Sequence, residues 1–83
     1  MTRDEVLLAV NRVFGAEAWA VAGFWDIKIE TTPKRTLMLS TEWVERHINS
    51  GTMTVEELED RLRSISDDQW LRDNSDNLVC LFR

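Results

Sequence analysis

Between Trp25 and Glu30 the chain alternates apolar and charged residues one by one, and no other stretch restricts its fold as strongly. This alternation is typical of a β-strand with one buried face and one face in water. The only proline, Pro33, follows and predicts a turn, after which Thr36–Ser40 predicts the returning strand of a hairpin. Since an isolated hairpin is at best marginally stable in water, we expect the apolar run Leu78–Phe82 to complete the sheet.

Helix starts are marked by a hydroxyl residue followed three positions later by Glu or Gln. This pattern is the capping box, in which each side chain bonds the backbone N–H of the other residue. It begins at Thr2, Thr54 and Ser66. The pattern predicts a first helix over Arg3–Phe14, a later helix whose apolar stripe runs over Val55–Ile65, and a short helical turn through Leu71.

Two segments between these helices carry weaker signals. Ser40 or Thr41 is a suitable cap for a helix over Glu42–Asn49. The alanines of Ala16–Gly23 favour helix. Trp19, however, has an odd number, as the apolar residues of the following strand do, and would continue the buried face of that strand. We interpret Ala16–Gly23 as a short helical turn.

The order helix, hairpin, helices and strand predicts one α+β domain over residues 1–83, with a three-stranded antiparallel sheet and the helices packed on one side. A chain of 83 residues suffices for one modest core but not for two lobes with a cleft between them. The single cysteine, Cys80, cannot form an internal disulfide, and no apolar stretch approaches the ~20 residues of a membrane span. We therefore expect a cytoplasmic protein.

All of the excess negative charge lies in the second half of the chain. Residues 1–41 carry five basic and five acidic side chains, whereas residues 42–83 carry five arginines and ten carboxylates. A surface of one sign attracts cationic partners and repels phosphate before any contact forms. The charge distribution therefore indicates a basic partner.

Several classes of function fit the residues poorly. The two helices on either side of Gly51 have the order of a DNA-binding helix-turn-helix, but the second one opens with four carboxylates where base edges and phosphates require donors and cations. His47 and Cys80 are too few for a metal site, and the loop that begins at Asp73 lacks the glycine and the glutamate of a calcium hand. We expect no enzyme, no cofactor and no bound metal.

What remains is an acidic face combined with tryptophan, a residue enriched at binding hot spots. The predicted partner-binding residues are Glu56, Glu57, Glu59, Asp60, Asp67, Asp68 and Trp70. Two interpretations stay open for Trp70, which either folds back with Leu71 to seal the core or stands out as an apolar anchor inside a rim of carboxylates.

The leading hypothesis is a non-enzymatic module that covers the basic surface of a nucleic-acid-binding protein, as inhibitors and immunity proteins that mimic nucleic-acid charge do. It predicts no direct contact with nucleic acid or membrane. One alternative is a homo-oligomeric structural or regulatory subunit that buries the tryptophan and hairpin face. Another is a DNA-binding regulator that uses Lys28, Lys34 and Arg35 of the hairpin.

Overall fold

The computed structural model describes every residue of the chain, 1–83, and shows a small α+β fold. The helices are α1 (Arg3–Phe14), α2 (Thr41–Trp43), which continues as a π-helix over Val44–Asn49, and α3 (Val55–Arg63), which a 3₁₀ turn over Asp67–Gln69 follows. The strands are β1 (Ala18–Ala20), β2 (Asp26–Ile29), β3 (Arg35–Leu39), β4 (Leu71–Arg72) and β5 (Leu78–Phe82).

The capping boxes form as predicted and set the starts of α1, α3 and the 3₁₀ turn. At the first of them the backbone N–H of Thr2 donates to Glu5 Oε1 at 3.0 Å, and the backbone N–H of Glu5 donates to the Thr2 hydroxyl at 3.2 Å. The hydrogen bond from the Thr2 backbone, with a smaller contribution from the Thr2 side chain, holds the pKa of the Glu5 carboxyl below its ordinary value, because it favours the charged form. The helix ends at Gly15, whose φ of 61° is a left-handed conformation that glycine adopts without strain.

The predicted hairpin is confirmed, but Ala16–Gly23 is not helical. Strands β2 and β3 pair antiparallel, with Asp26 opposite Met38. The segment predicted to be a helical turn contains β1, which pairs antiparallel with β2 so that Trp19 lies opposite Lys28. Pairing with a formed strand outweighs the helix propensity of a few alanines, which is a weak preference in any short segment.

The last strand joins the hairpin as expected but runs parallel to β3, with Leu39 beside Phe82. Its direction follows from the route of the chain, because residues 40–77 contain α2 and α3 and return to the end of the sheet at which β3 begins. The short β4 pairs with the other side of β5. The prediction of three antiparallel strands is therefore corrected to a five-stranded mixed sheet in the order β1-β2-β3-β5-β4.

Side chains of the sheet alternate between two faces, of which one forms the core. Ile27, Leu37 and Cys80 lie side by side on that face and are buried. α1 adds Val6 and α3 adds Leu58 to the same cluster. All three helices contribute side chains to this core. None of the helices combines the length and the apolar character that crossing a bilayer requires.

Candidate docking surfaces

The acidic residues of α3 point outward because its apolar stripe points inward. Leu58 and Leu62 are fully or nearly fully buried, and Glu56, Glu57 and Asp60 on the opposite side are exposed. We use the name acidic face for the six predicted carboxylates, namely Glu56, Glu57, Glu59, Asp60, Asp67 and Asp68.

Two carboxylates of the acidic face are paired with arginines. Glu59 Oε1 lies 3.3 Å from Arg12 Nη1 and Glu59 Oε2 lies 3.6 Å from Arg63 Nη2, while only 13% of the Glu59 side chain is exposed. Asp60 Oδ1 lies 3.5 Å from Arg63 Nη1. Glu59 therefore connects α3 to α1 and is not free to bind a partner.

The other four carboxylates are exposed and have no ion pair. The Glu57 Oε1 atom accepts hydrogen bonds from the backbone N–H and the hydroxyl of Thr54, at 3.3 and 3.1 Å. Asp68 accepts a hydrogen bond from the hydroxyl of Ser66. These bonds fix the positions of both carboxylates but leave their charges uncompensated by any cation.

The acidic face is divided into two pairs. Glu56 and Glu57 lie in the first turn of α3, whereas Asp67 and Asp68 lie beyond its last turn. Nine helical residues span about 13 Å. The last turn of α3, between the pairs, carries two arginines. The carboxylates therefore form two negative regions rather than one continuous field.

Trp70 is buried, with 7% of its surface exposed, so its ring is not available as an apolar anchor. It stands edge-on to Phe14 with ring centroids 5.8 Å apart, and the guanidinium of Arg35 lies 5.1 Å from its centroid. The structure thus agrees with the alternative in which Trp70 folds back onto the core, but Leu71 does not join it, since 68% of Leu71 is exposed. No signal in the neighbouring residues could reveal this packing, because Phe14 and Arg35 are distant along the chain.

The exposed tryptophan is Trp19, and it belongs to the uncovered face of the sheet. Strand pairing places one row across all five strands, formed by Trp19, Lys28, Thr36, Val79 and Leu71. A second row contains Asp26, Met38 and Leu81. We call these eight residues the open face.

Apolar side chains stand exposed on the open face. The exposed fractions are 45% for Trp19, 68% for Leu71 and 45% for Leu81. Single exposed apolar residues are ordinary, but several that share one face indicate an interaction surface. Sequence reasoning missed this face because it interpreted Ala16–Gly23 as helical and assigned Trp19 to no exposed surface.

A pocket of about 240 Å³ lies on the open face, beside the turn that joins β2 to β3. We call it the basic pocket, and it is lined by Trp19, Lys28, Ile29, Lys34, Arg35, Thr36 and Asn77. The three cations of the DNA-binding alternative therefore all line one pocket. The guanidinium of Arg35, however, lies over the rings of Phe14 and Trp70 in the core.

The residues that could serve catalysis or metal binding are dispersed. His47 packs against Trp43 with ring centroids 5.0 Å apart. Cys80 is buried in the core, and burial raises the pKa of its thiol because the thiolate would lose its hydration. No three His, Cys, Asp or Glu side chains lie close enough together to hold a metal ion.

No family model, no curated protein sequence and no solved structure matches this chain.

Proposed function

We propose that the protein is a non-enzymatic protein-binding module that covers a cationic surface of another protein, such as the phosphate-binding groove of a nucleic-acid-binding partner. The observation that carries this proposal is the charge of residues 54–69, where six carboxylates outnumber two arginines. Four of the six have no ion pair and are exposed, namely Glu56, Glu57, Asp67 and Asp68.

The two-pair arrangement of the acidic face defines the partner further. Exposed charges act over about one Debye length, ~10 Å at 0.1 M salt, so each pair attracts basic groups mainly in its own neighbourhood. The complementary partner presents two basic groups, one for each pair, with no cation opposite the arginines between them. Such complementarity raises the association rate and excludes wrongly spaced partners more than it raises affinity.

The experiment removes the unpaired charges without touching the charges that hold the fold. The triple variant Glu56→Gln, Asp67→Asn and Asp68→Asn removes three unpaired carboxylates. The matched control, with Glu17→Gln, Glu42→Gln and Glu45→Gln, removes three exposed carboxylates outside the acidic face. Glu59 is unsuitable as a target, since its loss would also break the bridge between α1 and α3.

Partners captured from the producing cells are purified, and their association rates with the three proteins are measured by surface plasmon resonance at increasing salt. We expect the acidic-face variant to associate at least about tenfold more slowly than the control at low salt, with the difference vanishing at high salt. Equal rates for the two variants, or rates independent of salt, would contradict the proposal.

A second candidate function is a homo-oligomeric subunit, favoured by the exposed apolar residues of the open face. Asp26 and Lys28 lie two positions apart on β2 and share this face. A two-fold axis that passes between them places Lys28 of each copy opposite Asp26 of the other, so the face is complementary to itself in charge. The five strands contain 19 residues, and at about 3.3 Å per residue and about 4.8 Å between strands they give a flat area of roughly 300 Å². Because stable complexes bury about 800 Å² per partner, we expect a weak dimer.

Sedimentation velocity at rising protein concentration separates the two candidates. A dimer through the open face persists at high salt, because burial of apolar surface is insensitive to screening. The double variant Leu71→Ser and Leu81→Thr should then remain monomeric, whereas Leu8→Ser, which removes an exposed leucine of α1, should not change the equilibrium. A wild-type protein that stays monomeric up to about millimolar concentration excludes this candidate.

A further inference from the structure

The only two lysines of the chain, Lys28 and Lys34, line the same pocket as its exposed tryptophan, Trp19. The other eight of the ten Lys and Arg side chains are arginines. The acidic face does not explain this juxtaposition, because none of its residues lines the pocket. The basic pocket therefore requires an interpretation of its own.

Strand register builds the floor of the basic pocket. The pairing of β1, β2 and β3 sets Trp19, Lys28 and Thr36 side by side. Lys28 Nζ donates a hydrogen bond to the Thr36 hydroxyl at 3.3 Å, which holds the ammonium over the sheet. This hydroxyl and the ammonium are thus positioned before any ligand arrives.

The rim of the pocket comes from two loops that are bonded to each other. The backbone N–H of Leu78 donates to the carbonyl oxygen of Lys34 at 2.9 Å and so joins the loop before β5 to the turn before β3. This bond places Asn77 beside Lys34 at the mouth of the pocket. The amide of Asn77 adds a neutral donor and acceptor to the two ammonium groups.

The side chains around the pocket carry a net positive charge. Lys34 Nζ lies 3.7 Å from Glu30 Oε1, but both side chains are more than half exposed, so water weakens this pair. Lys28 has no ion pair, and Asp26 is its nearest acidic neighbour on the open face, one row away. Two ammonium groups therefore face the pocket against one screened carboxylate on its rim.

We propose that the basic pocket binds a free mononucleotide, with the base stacked on the Trp19 ring and the phosphate held by Lys28, Lys34 and Thr36. A phosphate monoester carries a charge of about −1.5 to −2 at neutral pH, which matches two ammonium groups better than a single carboxylate does. Stacking on tryptophan suits any base, because every base presents a flat π-face. A free nucleotide is favoured over a nucleic-acid strand because the net charge of −5 repels a long polyanion.

The proposal differs from both candidate functions of the chain and can fail independently of them. No residue of the acidic face lines the pocket, so variants of the acidic face should bind nucleotide normally. A dimer through the open face would cover Trp19, and for that reason the titration uses protein at a concentration where sedimentation shows only monomer.

The test is a titration followed by ¹H–¹⁵N NMR, with thymidine 5′-monophosphate as the ligand. Thymidine, inorganic phosphate and an oligothymidylate of about ten nucleotides serve as comparison ligands. We expect the monophosphate to shift the indole signal of Trp19 and the amide signals of Lys28 and Thr36. Thymidine and phosphate should each bind at least about tenfold more weakly, since each lacks half of the contacts.

Two lysine variants and one control complete the experiment. Lys28→Gln or Lys34→Gln should weaken binding of the monophosphate about tenfold, whereas Arg46→Gln, which removes an exposed cation of the π-helix, should leave it unchanged. An absence of shifts at the pocket, or equal weakening by Arg46→Gln, overturns the site. If inorganic phosphate binds as tightly as thymidine 5′-monophosphate, the stacking role of Trp19 is overturned. If the oligothymidylate binds more tightly than the monophosphate, the assignment to a free nucleotide is overturned.

Discussion

Replacement of Trp70 by alanine should unfold most of the protein. The ring is 93% removed from solvent, and burying an aromatic side chain removes about 150–250 Å² of surface from water. At about 25 cal/mol per Å² this burial contributes roughly 4–6 kcal/mol, and measured Trp→Ala substitutions in cores cost about 3–5 kcal/mol. The edge-on contact with Phe14 and the stacked Arg35 each add on the order of 0.5–1 kcal/mol. Since domains of this size have about 5 kcal/mol of stability, the variant should populate its unfolded state.

Urea unfolding followed by far-UV circular dichroism measures this loss, with two matched variants for comparison. Trp70→Phe keeps an aromatic ring against Phe14 and should cost no more than about half as much. Trp19→Ala removes an equally large ring from the open face, where it is 45% exposed, and should cost only about half as much, roughly 2–3 kcal/mol. If Trp70→Ala costs no more than Trp19→Ala, the ring of Trp70 is not part of the core and the anchor hypothesis returns.

Three further predictions follow from local contacts. The lowered pKa of Glu5 means that its contribution to stability is complete above the ordinary glutamate pKa and is lost as the pH falls through the lowered value. Thermal unfolding should therefore become less pH-dependent in acid for Glu5→Gln than for wild type. The buried thiol of Cys80, with its raised pKa, should react with a thiol reagent only as fast as the protein opens, so that the rate rises steeply with urea. Arg3 donates to the carbonyl oxygens of Val21 and Phe24 and lies 5.3 Å from the Trp25 ring, so Arg3→Ala should accelerate amide hydrogen exchange in residues 21–25 while α1 stays protected.

The parts of the fold that the sequence predicts are those determined by neighbouring residues. The capping boxes at Thr2 and Thr54 close within three residues, and the helices they start are found where the pattern places them. The hairpin likewise follows from alternation within β2 and β3 and from the turn between them. These signals need no knowledge of the rest of the chain.

The parts that could not be predicted depend on partners far along the chain. β1 is a strand because β2 offers it an edge, and the run Leu78–Phe82 reads equally well as a parallel or an antiparallel strand. Trp70 is buried because Phe14 and Arg35 meet it from distant elements. The same difference between local signals and contacts with distant residues applies to the candidate surfaces. The exposure of Glu56, Glu57 and Asp60 on α3 was predictable from helical periodicity, whereas the basic pocket exists only once three strands and two loops are assembled.

The position of β5 has a consequence for how the protein is made. Residues 78–82 insert between β3 and β4, so a nascent chain that has emerged only as far as residue 77 carries β3 with one unpaired edge. Buried residues of β3 such as Leu37 and Leu39 then lack their neighbours Cys80 and Phe82. An open apolar edge of this kind readily pairs with other chains. Until β5 has emerged, the growing polypeptide should depend on chaperones or on the shelter of the ribosome to escape aggregation.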